Sequence, residues 1–163
     1  TIDNLKIIRI KLVIEQENFM IHAINEAIKG QELNEIPVGA IIVNEEKKII
    51  ARAHNLVEKY NNPIMHAEKL VIERALNVTK RRYLENCEIW VTLEPCVMCL
   101  GMIKLSRIKR LYYGAQNKKD NFSKNNQKIY SKQQGFKYTF EIYPGISSEK
   151  CENLLKLFFK NLR

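Results

Sequence analysis

Two short stretches constrain this chain more than anything else in it: His66-Ala67-Glu68 and, thirty residues on, Pro95-Cys96-Val97-Met98-Cys99. Cys96 and Cys99 are three apart, so in the first turn of a helix they share a face. Pro95 suits such a start, because the opening N–H groups of a helix are unpaired anyway. His66 and Glu68 are two apart and diverge by about 200° around a helix axis. They address one point only if it lies beyond the helix N-terminus, toward which side chains lean. Both motifs therefore belong at helix starts, with the two helix ends meeting at one place.

One imidazole and two thiolates are ligands for zinc, which takes nitrogen and sulfur in a tetrahedron and, with three protein ligands, keeps a fourth position for water. Water held there is a nucleophile near neutral pH, and the Glu68 carboxylate is placed to move its proton. Positive helix ends favour thiolate over thiol. The rival reading of Cys96 and Cys99 is a thioredoxin-like redox pair, which also sits at a helix start but leaves His66-Ala67-Glu68 unexplained. A lone histidine is usually a satisfied polar residue and a lone glutamate a solvated one; the pairing of the motifs is what singles them out. Cys87 and Cys151 make no second close pair, which argues against a zinc ribbon or a disulfide framework, and they read as small buried hydrophobes.

Around these motifs the chain alternates in type. Apolar residues from Phe19 to Ile28 recur at helical spacing and Gly30 closes that helix. Residues 37–43 and 49–54 read as a hairpin about Glu45-Glu46-Lys47-Lys48. A helix over 65–76 follows the loop Asn61-Asn62-Pro63, then a strand over 87–93, a helix over 96–104 and a strand over 108–113. Residues 136–143 alternate as an edge strand, and Ser147 or Ser148 caps a last helix running through Phe159. Strands alternating with helices give a mixed sheet with helices on both faces, and open α/β sheets place ligands at strand ends where helices begin. At 163 residues the length suits one domain. Residues 1–15 fit neither a strand alternation nor a helical stripe and read as an extension of unknown role, leaving 16–163 as the domain. No apolar run approaches a membrane span and no signal peptide is evident, so no membrane partner is expected.

The net charge of +9 is concentrated. Between Gly101 and Phe140 stand ten basic residues against Asp120 alone, while the remainder balances seventeen of each sign. An anionic polymer as partner explains this better than a solvated lysine-rich loop does.

The two motifs together are the signature of zinc deaminases. The stretches Val91–Cys99, Ile36–Ala40 and Leu154–Phe159 closely resemble the bacterial tRNA-specific adenosine deaminases, and the resemblance runs from about Glu17 to Arg163. It implies a three-layer α/β/α cytidine-deaminase-like fold with a five-stranded mixed sheet. It also implies one Zn2+ per subunit on His66, Cys96 and Cys99, Glu68 as the catalytic proton carrier, and hydrolysis of adenosine to inosine at the wobble position of a tRNA anticodon stem-loop. A cytoplasmic homodimer with sites near the subunit boundary goes with it. By the same resemblance Ile36, Asn55, Pro63 and Ala67 surround the flipped base, although spacing alone makes Asn55 a turn residue. Asn117 replaces an aspartate that contacts RNA in relatives, which removes a negative charge from a nucleic-acid groove. Lys119 keeps a basic position there. Phe158 and Phe159 cannot both face inward; core packing is the plain reading of the pair, and Phe158 is the candidate contact to a base or a partner subunit. Two alternatives remain open on the residues: a small-molecule base or nucleoside deaminase of guanine or cytosine type, and a non-catalytic zinc-bearing RNA-binding module, which would have no need of Glu68.

Overall fold

The computed structural model describes residues 2–118 and 140–162. In chain order the described elements are α1 (Ile2–Glu32), β1 (Gly39–Val43), β2 (Ile49–His54), α2 (Val57–Tyr60), α3 (Ala67–Thr79), β3 (Glu88–Leu93), α4 (Val97–Leu105), β4 (Arg110–Ala115), β5 (Glu141–Tyr143) and α5 (Ser148–Asn161). The five strands form one sheet in the order β2-β1-β3-β4-β5. β1 is antiparallel to β2 and β3, whereas β3, β4 and β5 run parallel. The expected mixed sheet with helices on both faces is therefore present, with β5 on an edge.

Successive side chains of a strand point to opposite faces, which sorts the core into two layers. On one face Ala40, Ile42, Ile89, Val91 and Leu111 pack with Leu70, Val71 and Ala75 of α3 and with Leu100 and Ile103 of α4. On the other, Ile41, Val43, Trp90 and Tyr112 meet Met20 and Ala23 of α1 and Cys151 of α5. The register aligns Ile41, Trp90 and Tyr112 across three strands. Trp90 and Tyr112 stack at 3.8 Å, and Tyr143 continues the stack at 4.8 Å.

Gly39 explains part of the Ile36–Ala40 motif. A Cβ built there would lie inside the contact radius of the Ala23 carbonyl oxygen and the Ala27 nitrogen, so β1 passes backbone to backbone under α1. Gly114 performs the same service for α5, because a Cβ would collide with Cys151 Sγ.

The first fifteen residues depart from expectation. From Ile2 they continue α1 as one helix of 31 residues. Leu5, Ile7, Ile8, Ile10, Leu12, Val13 and Ile14 are exposed on it, which is why no one-sided apolar stripe is readable there. Expected boundaries elsewhere hold within about two or three residues, except that of the edge strand expected over 136–143 only Glu141–Tyr143 is seen, residues 136–139 lying outside the described residues. The short α2 carries no apolar period, so the sequence pattern does not announce it. Cys87 and Cys151 are buried free thiols. Among the described residues no helix is long and apolar enough to cross a membrane.

Candidate metal centre

The antiparallel β1 and β2 and the parallel β3 and β4 bring four strand ends to one edge of the sheet: the start of β1, the end of β2, and the ends of β3 and β4. The starts of α3 and α4 face the same edge. His66 is the N-cap of α3 and Cys96 that of α4, both in extended conformation, and neither side chain caps its own helix. The two motifs thus stand at two helix starts, as their spacing requires.

There His66 Nδ1 lies 3.6 Å from Cys96 Sγ and 3.5 Å from Cys99 Sγ. The three donor atoms lie within 4.8 Å of one another. Tetrahedral zinc with ordinary Zn–N and Zn–S bonds holds nitrogen and sulfur roughly 3.6 Å apart, so these residues fit a zinc ion without rearrangement. Hydrogen bonding from Cys99, then from His66, pulls the Cys96 thiol down to about 4 against its burial. Cys99 is pushed far up by sharing its proton with Cys96, by burial and by the nearby Glu68. Cys96 and then Glu68 hold the His66 imidazole above its usual value against its burial, with the smallest contribution from the Pro63 backbone.

Glu68 is buried in the first turn of α3. Burial pushes its carboxyl up to about 7, opposed by the His66 charge and by a hydrogen bond from Cys99. A carboxyl with that value takes and returns a proton near neutral pH.

A cavity of about 150 Å³ opens beside these groups, lined by Ile36, Val38, Asn55, His66, Glu68, Leu93, Glu94, Cys96 and Asn117. Asn55 is no solvent turn residue: it is buried, and its Oδ1 accepts the Ala67 N–H at 2.9 Å. That bond commits the oxygen and turns the amide N–H₂ into the donor end of the side chain. Ala67 is fully buried in the core, and Pro63 meets the site through its backbone; neither lines the cavity. Sequence reasoning does not single out Val38, Leu93 or Glu94. Glu94 lies within a quoted motif, but its burial is not legible there; its carboxylate accepts the Asn117 N–H at 3.1 Å.

A second cavity of about 280 Å³ shares Ile36, Leu93 and Asn117 with the first and extends to Gln116, Lys118, Leu155 and Phe159. Leu155 and Phe159 continue with Lys156 and Lys160 into a groove on α5. The aromatic ring here is Phe159, not Phe158. Phe158 is buried and meets Phe159 edge to face at 5.5 Å. Lys119 lies outside the described residues.

The basic segment divides. Lys104 is buried near the end of α4. Arg107 pairs with Glu85 and lies over the Tyr83 ring. Arg110 pairs with Glu88 and Glu141 at the opposite end of the sheet from the metal ligands. Three of the ten cations therefore serve the fold, and among the described residues Lys118, Lys156 and Lys160 are the ones beside the grooves.

Comparison with known proteins agrees with this geometry. The family model of the cytidine and deoxycytidylate deaminase zinc-binding region matches residues 13–115. The tRNA-specific adenosine deaminase of Rickettsia felis is 41% identical over 88% of this chain and 100% of its own length. That of Bacillus subtilis is 39% identical over 91% of each. A solved structure of a tRNA:A34 deaminase, studied for A-to-I editing at the wobble position, superposes with a TM-score of 0.78 at 34% identity over 85% of this chain and 99% of that one. The guanine deaminase of Bacillus subtilis superposes with a TM-score of 0.60 at 32% identity, covering 76% of this chain and 82% of that one. With the His-Cys-Cys cluster and the buried Glu68 in the places such a centre needs, the chain belongs to the tRNA-specific adenosine deaminases of the zinc-binding cytidine and deoxycytidylate deaminase family.

Proposed function

We propose that the protein hydrolyses adenosine to inosine at the wobble position of a tRNA anticodon loop. The observation that carries this reading is the continuity of the metal-side cavity with the groove of Phe159, Lys156 and Lys160 on α5. A free base needs only the first cavity. Loop RNA needs a pocket for one splayed base, aromatic rings for its neighbours and cations for its phosphates.

His66, Cys96 and Cys99 hold the zinc ion, which when bound supplies an activated water as nucleophile. Glu68 would accept one proton of that water and deliver it to purine N1 as the water oxygen bonds to C6, then carry the second proton, from the new C6 hydroxyl, to the exocyclic amine, which leaves as ammonia when the C6–N bond breaks. Asn55 offers its amide N–H₂ to the base, and Ile36, Val38 and Leu93 wall the ring and exclude bulk water. Pro63 acts from behind, on His66. Asn117, held by Glu94, stands where the two cavities join, and Lys119 is assigned as a phosphate contact. With no carboxylate at Asn117, single-stranded DNA meets less repulsion here; equal rates on RNA and DNA hairpins support this, and strict RNA dependence ends it.

The working form is a cytoplasmic homodimer. Exposed apolar side chains beside the site, Tyr60, Ile64 and Val97, support an interface there.

Incubation with an anticodon stem-loop carrying a wobble adenosine, and separately with free guanine and cytosine, tests the reading. Inosine in the RNA is expected, weakening steeply as salt rises from about 50 to 200 mM. Ammonia from guanine or cytosine with the RNA untouched overturns it.

A further inference from the structure

Glu35 is a fully buried carboxylate between α1 and β1, outside both chemical motifs. Its backbone N–H is tied to the Gly30 carbonyl at the end of α1. Its side chain reaches across to α2: Oε2 accepts the Glu58 N–H at 3.1 Å and Oε1 the Lys59 N–H at 2.8 Å. α2 has no cap of its own, because its N-cap residue is Leu56. Glu35 supplies the missing cap from another element, and the exchange satisfies donors that would otherwise be stranded.

The loop so held is the one that matters for the site. It begins at Asn55 and ends at His66. Leu56 N–H to Met65 C=O at 3.0 Å closes its neck, and Asn62 N–H to Val57 C=O at 3.0 Å ties its far side to α2. Within it the Met65 N–H bonds the Asn62 carbonyl at 3.2 Å, so the residue before His66 is tied at both its N–H and its C=O. The residue after Glu35 is Ile36, which lines both cavities.

We propose that Glu35 is a positioning residue for the metal centre: by clamping α2 it fixes the Leu56–Met65 neck of the loop, and with it the placement of His66 at the start of α3. This rests on the zinc-site reading and not on the substrate, since its first readout needs no nucleic acid. Outer contacts of ligating histidines are worth on the order of 10- to 100-fold in metal affinity or activity.

The test compares Glu35→Ala and Glu35→Gln with the zinc-loaded parent protein. Transfer of zinc to a colorimetric chelator is expected to quicken about 10-fold or more in Glu35→Ala. Glu35→Gln, which keeps one acceptor oxygen, should fall between. On the anticodon stem-loop kcat should drop with KM within about twofold. Amide hydrogen exchange at Glu58 and Lys59 should accelerate while Ile41 and Val91, in the central strands, stay protected. Zinc transfer and kcat unchanged in Glu35→Ala overturn the proposal. So does loss of protection at Ile41 and Val91 together with α2 in both variants, which would make Glu35 a residue of global stability. A parent protein without stoichiometric zinc would instead overturn the metal reading itself.

Discussion

Asn55 holds the first N–H of α3 with its side-chain oxygen, at 2.9 Å from Ala67, one residue past the metal ligand His66. The same side chain lines the cavity, so it both sets the helix start and meets the base. Asn55→Ala strands a buried N–H and should lower stability by about 1–3 kcal/mol. Asn55→Asp keeps the acceptor and should melt close to the parent. Both lose the amide donor and should lose about 10-fold or more in kcat/KM, an interaction of at least ~1.4 kcal/mol. Thermal melts beside steady-state rates on the hairpin separate the two roles.

Glu68→Gln keeps the size of the side chain and removes its capacity to carry a proton. Zinc content should stay at one per chain, because the ligands are His66, Cys96 and Cys99. Turnover should fall by about 10²- to 10⁴-fold. Metal analysis and single-turnover rates on one preparation decide it; retained activity removes Glu68 from the proton path.

The two adjacent rings of α5 should separate cleanly. Phe158 is buried and Phe159 lines the groove. Phe158→Ala should cost about 3 kcal/mol in denaturant unfolding. Phe159→Ala should leave the unfolding midpoint nearly unchanged and weaken hairpin binding by about 1–3 kcal/mol, the usual worth of one base stacked on an aromatic ring. Binding by both variants equal to the parent would take α5 out of the RNA surface.

Gly39 and Gly101 make an opposed pair. Gly39→Ala should lower stability by about 3 kcal/mol or more, since overpacking here meets backbone and not a flexible side chain. A Cβ at Gly101 meets nothing within 4 Å, inside α4. Gly101→Ala should therefore stabilise by about 0.5–1 kcal/mol. Urea unfolding of both variants checks the signs.

The metal ligands and their proton carrier are legible in the sequence, because the demand for two helix starts leaves little freedom to His66, Glu68, Cys96 and Cys99. The mixed sheet is legible in the alternation of apolar runs. Burial of charge is not. In the sequence Lys104 and Arg110 count among the cations offered to an anionic partner, and only the fold shows one buried and the other bound to Glu88 and Glu141. Nor can periodicity choose between Phe158 and Phe159, neighbours about 100° apart on a helix, until the sheet sets which side is inside. Glu35 is hidden for a related reason: its partners are backbone N–H groups 23 and 24 residues away, which no side-chain pattern announces.

The helix starts of α3 and α4 meet nose to nose, with ligand atoms from residues 33 positions apart in contact range. An ion binding there is a removable staple across a chain loop, and anything that binds the folded form alone deepens its free-energy well in proportion to the logarithm of its supply. Persistence of the fold and chemical competence are then governed by one shared atom. Zinc scarcity would lower both together.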